Sequence, residues 1–224
     1  MSDIIKDFFE KKFETESTRL LIYEKSLFSK EAMIDYLQCI LSNPIQVYLN
    51  FMHSYMGPYE IKSSDITQLS SITDCTENMC NVMLSRDNKG FTLSEIARYL
   101  HADGHYENNL TALKKYGENQ VKTASQLGLC VLNKGLWYLS STGYIFLEFD
   151  EQDRNKIISL NLLRDPFYNI IISSLCKKDT SLFDFMNILS ESTKKRRASS
   201  CYKILQFFIK QCQYEGITIY KLTY

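Results

Sequence analysis

The stretch that decides the fold is NLTALKKYGENQVKTASQLGLCVLNKGLWYLSSTG, residues 109–143. Between residues 121 and 127, apolar side chains recur at steps of three, the spacing of one buried helix face. Gly128 then suits the position just after a helix end, where the backbone is often left-handed. Apolar residues lie on both sides of Asn-Lys-Gly at 133–135, which is typical of a β-hairpin turn. The stretch therefore predicts a helix followed by a hairpin.

Two further helices are predicted just before this stretch. Residues 78–84 suggest a helix, and the turn sequence DNKG at 87–90 ends it. The segment FTLSEIARYL then contains a capping box, in which Thr92 and Glu95 each accept a hydrogen bond from the other. Helix, helix, helix and hairpin is the order of a winged helix, so residues 73–149 are interpreted as one winged-helix module.

Residues 150–224 suggest the same architecture without repeating the sequence. Asp165 is a good N-cap, and Pro166 is suited to the first helical position. TSLFDFMNIL predicts a short helix, with Ser181 and Asp184 at capping-box spacing. A long helix follows, and YEGITIYKLTY is interpreted as a turn and a closing strand. These elements predict a second winged-helix module.

Residues 1–72 are predicted to be a helical region that mediates dimerisation or docks a partner. Residues 4–13 place apolar side chains at helical spacing, and a second amphipathic pattern begins near Ser29. The predicted fold class is therefore mainly α, with this region followed by two winged helix-turn-helix modules that have small β-wings.

The overall charge is balanced but unevenly distributed. The chain has 26 basic and 26 acidic residues, whereas residues 151–224 alone have 12 basic and 7 acidic residues, a net charge of +5. Seven cysteines, an odd number, lie mostly inside apolar patterns, which is typical of free thiols in a reducing compartment. The first residues lack the order of a secretory signal, and the longest uncharged stretch is rich in polar groups. We therefore expect a soluble, cytoplasmic protein.

A basic run opens the predicted long helix. In STKKRRASSCYKILQFF, residues 192–208, four consecutive cations precede an apolar pattern. A helix from about Thr193 to Gln211, capped by Ser192, buries a stripe that starts at Ala198 and leaves the cations toward solvent. Four cations at a helix N-terminus are unfavourable for the helix alone, which favours an anionic partner. The predicted DNA-binding residues here are Lys194, Lys195, Arg196, Arg197, Ser200 and Lys203. A solvated face, a localisation tag and a phosphorylation site at 196–199 are the alternatives.

Three segments, TLSEIARYL, YGENQVKTASQLGL and LWYLSSTGYIFL, together resemble winged-helix modules attached to bacterial restriction–modification and defence proteins. Leu189-Ser190, Thr193 and Arg196-Arg197-Ala198 resemble the partner module of that family. The likeness covers about residues 75–212, although residues 139–143 depart from the family's Leu-Thr-x-x-Gly step. It implies that the first module faces the DNA groove with Glu118, Asn119, Gln120, Lys122 and Thr123. Amide side chains suit adenine edges and Lys122 suits phosphate. A polar helix face without a ligand is the alternative.

Catalytic and metal-binding patterns are weak. Cys75, Cys80, His101 and His105 follow a zinc-finger order with an unusually long separation between the pairs. Glu60-Ile61-Lys62 has the acid-x-Lys pattern of metal-dependent nucleases but lacks the preceding acid. We predict no catalytic residues, no bound metal and no cofactor.

The sequence predicts a double-stranded DNA-binding protein, acting as a regulator or as the DNA-recognition subunit of a restriction or phage-defence system. One alternative is a subunit of a metal-dependent restriction-type nuclease that uses the region 1–72. The other is a winged-helix adaptor that binds proteins.

Overall fold

Helices make up most of the chain, and the predicted mainly α class is confirmed. The computed structural model describes residues 5, 6, 8, 9, 30–55, 59–68, 72–100 and 109–224. The helices are α1 (Lys30–Leu41), α2 (Ile45–Tyr55), α3 (Ile72–Cys75), α4 (Glu77–Leu84), α5 (Leu93–Leu100), α6 (Leu110–Gln126), α7 (Ser141–Ile145), α8 (Glu151–Arg164), α9 (Pro166–Leu175) and α10 (Glu191–Tyr214). Short 3₁₀ helices cover Phe146–Glu148 and Leu182–Phe185. The strands are β1 (Cys130–Asn133), β2 (Leu136–Leu139), β3 (Thr180–Ser181) and β4 (Leu222–Thr223).

The hairpin predicted around residues 133–135 is present. Strands β1 and β2 are antiparallel, with Cys130 opposite Leu139. Lys134 and Gly135 have φ angles of 46° and 82°, and positive values at both central residues are what this hairpin turn requires. Phe91 forms an isolated antiparallel bridge with Trp137, so the segment before α5 lies along the hairpin.

The C-terminal strand differs from the expected wing. Strand β4 pairs over two residues with β3, in parallel rather than as a hairpin. Antiparallel neighbours can be joined by a tight turn, whereas parallel strands need a long crossover. Here α10 lies between β3 and β4 in the chain, so residues 155–224 contain a crossover in place of a hairpin.

Local capping chemistry explains several helix ends. Thr92 N–H donates to Glu95 Oε2 at 2.8 Å and Glu95 N–H donates back to Thr92 Oγ1 at 3.3 Å, which confirms the predicted capping box. The Asp165 carboxylate accepts from two backbone amides, as predicted, with Pro166 opening α9. Gly128 has φ of 73° and follows the end of α6. The Gly128 and Leu129 amides donate to the last turn of α6, so the expected glycine ending is confirmed.

Two predicted starts are wrong. Ser181 makes no capping bond, and the predicted short helix is a 3₁₀ helix at Leu182–Phe185. Helix α10 begins at Glu191 with Ser190 as N-cap, two residues before the predicted Ser192. Ser190 is the last extended residue, and its carbonyl accepts from the Lys194 amide at 2.8 Å, which closes the first turn.

Contacts divide the chain into two compact units. Unit 1 comprises residues 1–13, 37–68 and 155–224, and unit 2 comprises residues 14–36 and 69–154. This division differs from the predicted boundaries after residues 72 and 149, because residues 37–68 pack with residues 155–224.

Unit 1 has a core built mainly from α2, α8, α9 and α10. Its largest completely buried side chains include Tyr48, Phe167, Tyr168 and Phe208. Tyr48 donates its hydroxyl to the Ile40 carbonyl at 2.9 Å, and burial raises its pKa to about 12. The core therefore satisfies this buried hydroxyl while it uses the ring for packing.

Unit 2 builds its core from α4, α5, α6 and the hairpin. Met79, Met83, Ile96 and Val121 are completely buried there. At the end of β2, the Ser140 hydroxyl accepts from the Gly143 amide at 3.0 Å and caps α7. The side chain of Ser140 thus stabilises the start of α7 directly after β2.

Candidate nucleic-acid interface

One face of α10 is positively charged and open to solvent. Its exposed residues lie mostly three, four or seven positions apart and include Ser192, Lys195, Arg196, Ser199, Lys203 and Lys210. No acidic residue occurs between positions 192 and 214. We name the four cations of this face, Lys195, Arg196, Lys203 and Lys210, the cationic stripe.

The cationic stripe is long enough to follow a nucleic-acid backbone. Its ends, Lys195 and Lys210, are 15 residues apart, which is about 22 Å along a helix that rises 1.5 Å per residue. A DNA strand advances about 3.4 Å per phosphate along the duplex axis, so the stripe matches about six phosphates. Within the part of the chain that the structure describes, none of the four cations forms an ion pair. Their charge is available to an external anion.

Lys194 was predicted to face solvent, and this is wrong. Only 8% of the residue is exposed. Its ammonium group donates to Asn187 Oδ1 at 3.1 Å, lies 3.1 Å from Glu191 Oε1 and sits 5.8 Å from the Phe183 ring centroid. Lys194 precedes Ala198 by four residues, so the buried stripe predicted from Ala198 onward extends back to include it.

Arg197 and Ser200 also face inward, against prediction. Arg197 Nη1 donates to the carbonyl oxygens of Ser63 at 2.7 Å and Ile66 at 2.6 Å. Ser200 is buried on the same side of α10. Arg197 precedes the buried Cys201 by four residues, so helical spacing already placed it on the inner side of α10. Its carbonyl partners lie more than 130 positions earlier in the chain, and no local pattern identifies them.

The exposed face of α6 carries a second group of cations. Lys114, Lys115 and Lys122 are exposed, and Glu118 lies between Lys115 at 2.9 Å and Lys122 at 2.6 Å. Hydrogen bonds from Lys122 and then Lys115 lower the pKa of Glu118, so it stays ionised. Asn119, half-buried beside them, is the predicted base-reading residue that this face retains. One acid offsets part of the charge of α6.

Gln120 and Thr123 were predicted to face a DNA groove, and the structure places both in the core. Both are completely buried. The Thr123 hydroxyl donates to the Asn119 carbonyl at 2.9 Å. Neither polar atom of the Gln120 side chain has a hydrogen-bond partner among the described residues. Gln120 precedes the buried Ala124 by four positions, and this spacing puts it on the inner face of α6.

Helix α6 is positioned closely against α5. A Cβ atom at Gly117 would overlap the backbone carbonyl of Leu93, so only glycine allows this approach. At the other end of the segment, the hairpin tip exposes Lys134. Asn109 caps α6 by accepting from the Ala112 amide at 3.0 Å. Unit 2 thus presents an exposed helix face and a hairpin tip that both carry lysine.

Sequence reasoning overlooked Lys210, Lys114 and Lys134. Lys210 follows Lys203 by seven residues, which is the spacing that keeps two side chains on one helix face. The four cations at 194–197 suggested an interface because they are adjacent in the sequence, although two of them turn inward. Periodicity extended along the whole helix was the available signal.

The alternative metal sites gain no support from the described residues. Within them, no group of three or more His, Cys, Asp or Glu side chains is placed to hold a metal ion. Glu60 and Lys62 are exposed, and the Lys62 amide donates to Asp65. His101 and His105 of the zinc alternative lie outside the described residues. All seven cysteines are free thiols.

No family model, curated protein or solved structure matches this chain. The resemblance to winged-helix modules of restriction and defence proteins therefore remains a prediction based on short motifs. Among the helices in the described ranges, none has both the length and the apolar character needed to cross a bilayer.

Proposed function

We propose that the protein binds double-stranded DNA, as a regulator or as the DNA-recognition subunit of a restriction or defence system. The observation that carries this proposal is the cationic stripe of α10. Phosphate contacts supply most of the affinity of DNA-binding proteins, and the cations that make them must be free of internal partners. Lys195, Arg196, Lys203 and Lys210 meet this requirement among the described residues.

The order of elements in unit 2 supports the same proposal. In our interpretation, α4, α5, α6 and the hairpin form a winged helix, with α6 as the helix that enters the major groove. Asn119 would read a base edge, Lys134 would contact a phosphate, and Lys122 would do so on leaving its ion pair with Glu118. The interpretation of residues 150–224 as a second winged helix has less support, since β3 and β4 do not form a hairpin wing. Dimerisation or partner docking through residues 1–72 stays a prediction.

A salt series with alanine variants tests the stripe. Lys195→Ala, Arg196→Ala, Lys203→Ala and Lys210→Ala should each weaken binding to all duplex sequences. Each lost phosphate contact should also flatten the slope of log K against log salt by about 0.9. Lys178→Ala removes an exposed lysine of unit 1 outside α10 and is the matched control. Fluorescence anisotropy with a labelled duplex gives both the affinity and the slope.

The quadruple alanine variant decides the outcome. Unchanged affinity and slope in this variant would mean that the stripe is only a solvated face. Binding of a protein partner that does not respond to salt would favour the adaptor alternative. Asn119→Ala should cost about 1–3 kcal/mol on a preferred site and little on random duplex, if the α6 face reads bases.

A further inference from the structure

Exposed tyrosine rings border the cationic stripe. Tyr214 is 67% exposed and follows Lys210 by four residues, which places it on the same face of α10. Tyr202, next to Lys203, is half-buried and packs against Tyr224, with 4.6 Å between the ring centroids. Tyr224 itself is 54% exposed, although its ring also meets Phe183 edge-on at 6.2 Å. The stripe therefore has aromatic rings at its C-terminal end and along one side.

The two exposed tyrosines contribute little to the core. More than half of each residue remains in contact with water, so most of their apolar surface gives no packing energy. Single exposed hydrophobic residues are ordinary on protein surfaces. Here, however, two exposed rings adjoin four cations that lack ion-pair partners among the described residues. Flat rings beside cations suit a ligand that carries both planar ring systems and negative charges.

We infer that the surface of α10 binds nucleic acid that contains unpaired bases, with phosphates on the cationic stripe and bases stacked on Tyr214 and Tyr224. Bases inside a duplex stack on one another and offer no ring face to a side chain, whereas unpaired bases do. Stacking on tyrosine tolerates any base because every base has a π face. The inference rests on the proposed nucleic-acid function and adds the class of substrate, a duplex with a single-stranded part or a single strand.

Two labelled probes of equal charge separate stacking from phosphate contact, a short oligothymidine and a blunt duplex. Tyr214→Ala and Tyr224→Leu should each weaken binding to the oligothymidine by about 5- to 100-fold, since one stacked base is lost. Binding to the blunt duplex should change less than about twofold, because the cations remain. Tyr214→Phe keeps the ring and should retain wild-type affinity for both probes. Tyr220→Ala removes another exposed tyrosine, outside α10, and is the matched control.

A measurement of stability separates a loss of binding from a loss of folding in these variants. Leucine at 224 keeps apolar contact with Tyr202, and the exposure of Tyr214 predicts that its alanine variant folds normally. Thermal melting checks both. If Tyr224→Leu melts early, the comparison of Tyr214→Ala with Tyr214→Phe alone decides.

The outcomes distinguish this inference from the proposed function. Salt-dependent duplex binding together with unchanged oligothymidine affinity in the Tyr214 and Tyr224 variants overturns the inference and leaves the proposed function standing. If the Tyr214 and Tyr224 variants lose equal affinity for both probes, the inference is also overturned. Ring-dependent binding of oligothymidine without any duplex binding supports the inference and overturns the double-stranded proposal. No binding of either probe overturns both.

Discussion

Arg196 and Arg197 are adjacent, yet their guanidinium groups have opposite environments. Arg196 is exposed, whereas Arg197 donates to the carbonyl oxygens of Ser63 and Ile66. Ile66 is completely buried, so its carbonyl depends on a protein donor rather than on water. At this scale, one step along a helix separates a cation that can bind a ligand from one that stabilises the fold.

Arg197→Ala should therefore destabilise unit 1. The variant leaves two backbone carbonyls without their donor, and an unsatisfied buried acceptor costs about 1–3 kcal/mol. Arg196→Ala, the matched control, should change the free energy of unfolding by less than about 0.5 kcal/mol. Urea unfolding followed by circular dichroism measures both. Equal stability of the two variants would show that the carbonyl contacts of Arg197 are dispensable.

A substitution of Gln120 should change the free energy of unfolding in the opposite direction. Its amide is completely buried and makes no hydrogen bond with the described residues, so it is desolvated without compensation. Gln120→Met has nearly the same shape without the buried amide and should raise the free energy of unfolding by about 1–3 kcal/mol. Gln120→Glu is the control and should lower it, since burying a charge costs more. A less stable Met variant would mean that the amide has a partner.

Helix α6 owes its position to close contact with α5 at Gly117. Glycine inside a helix lowers stability relative to alanine by about 1 kcal/mol when it is exposed. At this site the carbonyl of Leu93 occupies the space where a side chain would begin. The two effects have opposite signs, and the steric one is larger because a backbone carbonyl has little freedom to move.

Gly117→Ala should thus destabilise unit 2 by about 1–3 kcal/mol, in spite of alanine's better helix propensity. Thr111→Ala, at an exposed position of the same helix, is the control and should stabilise it slightly. Differential scanning calorimetry of both variants gives the comparison. A more stable Gly117→Ala variant would mean that the Leu93 carbonyl leaves room for a side chain at position 117.

Elements whose ends depend on neighbouring residues were predictable from the sequence. The Thr92–Glu95 box, the Asp165 cap and the Lys134-Gly135 turn each involve side chains within about four positions. The pairing of β3 with β4 and the contacts of Arg197 with backbone carbonyls join residues more than 40 positions apart, and no local pattern encodes these partners. Lys194 was a different error, since helical spacing already placed it on the buried face.

Buried thiols occur in both units and link the stability of the whole molecule to pH. Burial raises the pKa of Cys75, Cys80, Cys130 and Cys201, in the last case to about 12. Below the pKa of an unfolded thiol, about 8.5, both states keep the proton and stability does not change. Above it, the unfolded chain loses protons that the folded chain retains, so the free energy of unfolding falls.

Each of these thiols should lower the free energy of unfolding by up to about 1.4 kcal/mol per pH unit above about pH 8.5. Urea midpoints measured at steps between about pH 7 and 10 should therefore fall steeply at the alkaline end. Cys201→Ala should remove one thiol's share of that slope. A flat profile would contradict the burial of these groups.

The interleaving of the two units along the chain has a consequence for biosynthesis. Residues 37–68 emerge from the ribosome before residues 69–154 of unit 2, yet their packing partners in unit 1 include residues 155–224. A ribosome adds about 5–20 residues per second, so these last 70 residues take about 4–14 s. Throughout that interval the apolar side of α2, including Tyr48 and Met52, has no completed core to enter. The nascent protein therefore exposes the apolar side of α2 after residues 69–154 have been made, and we expect it to need chaperones that hold unfinished chains.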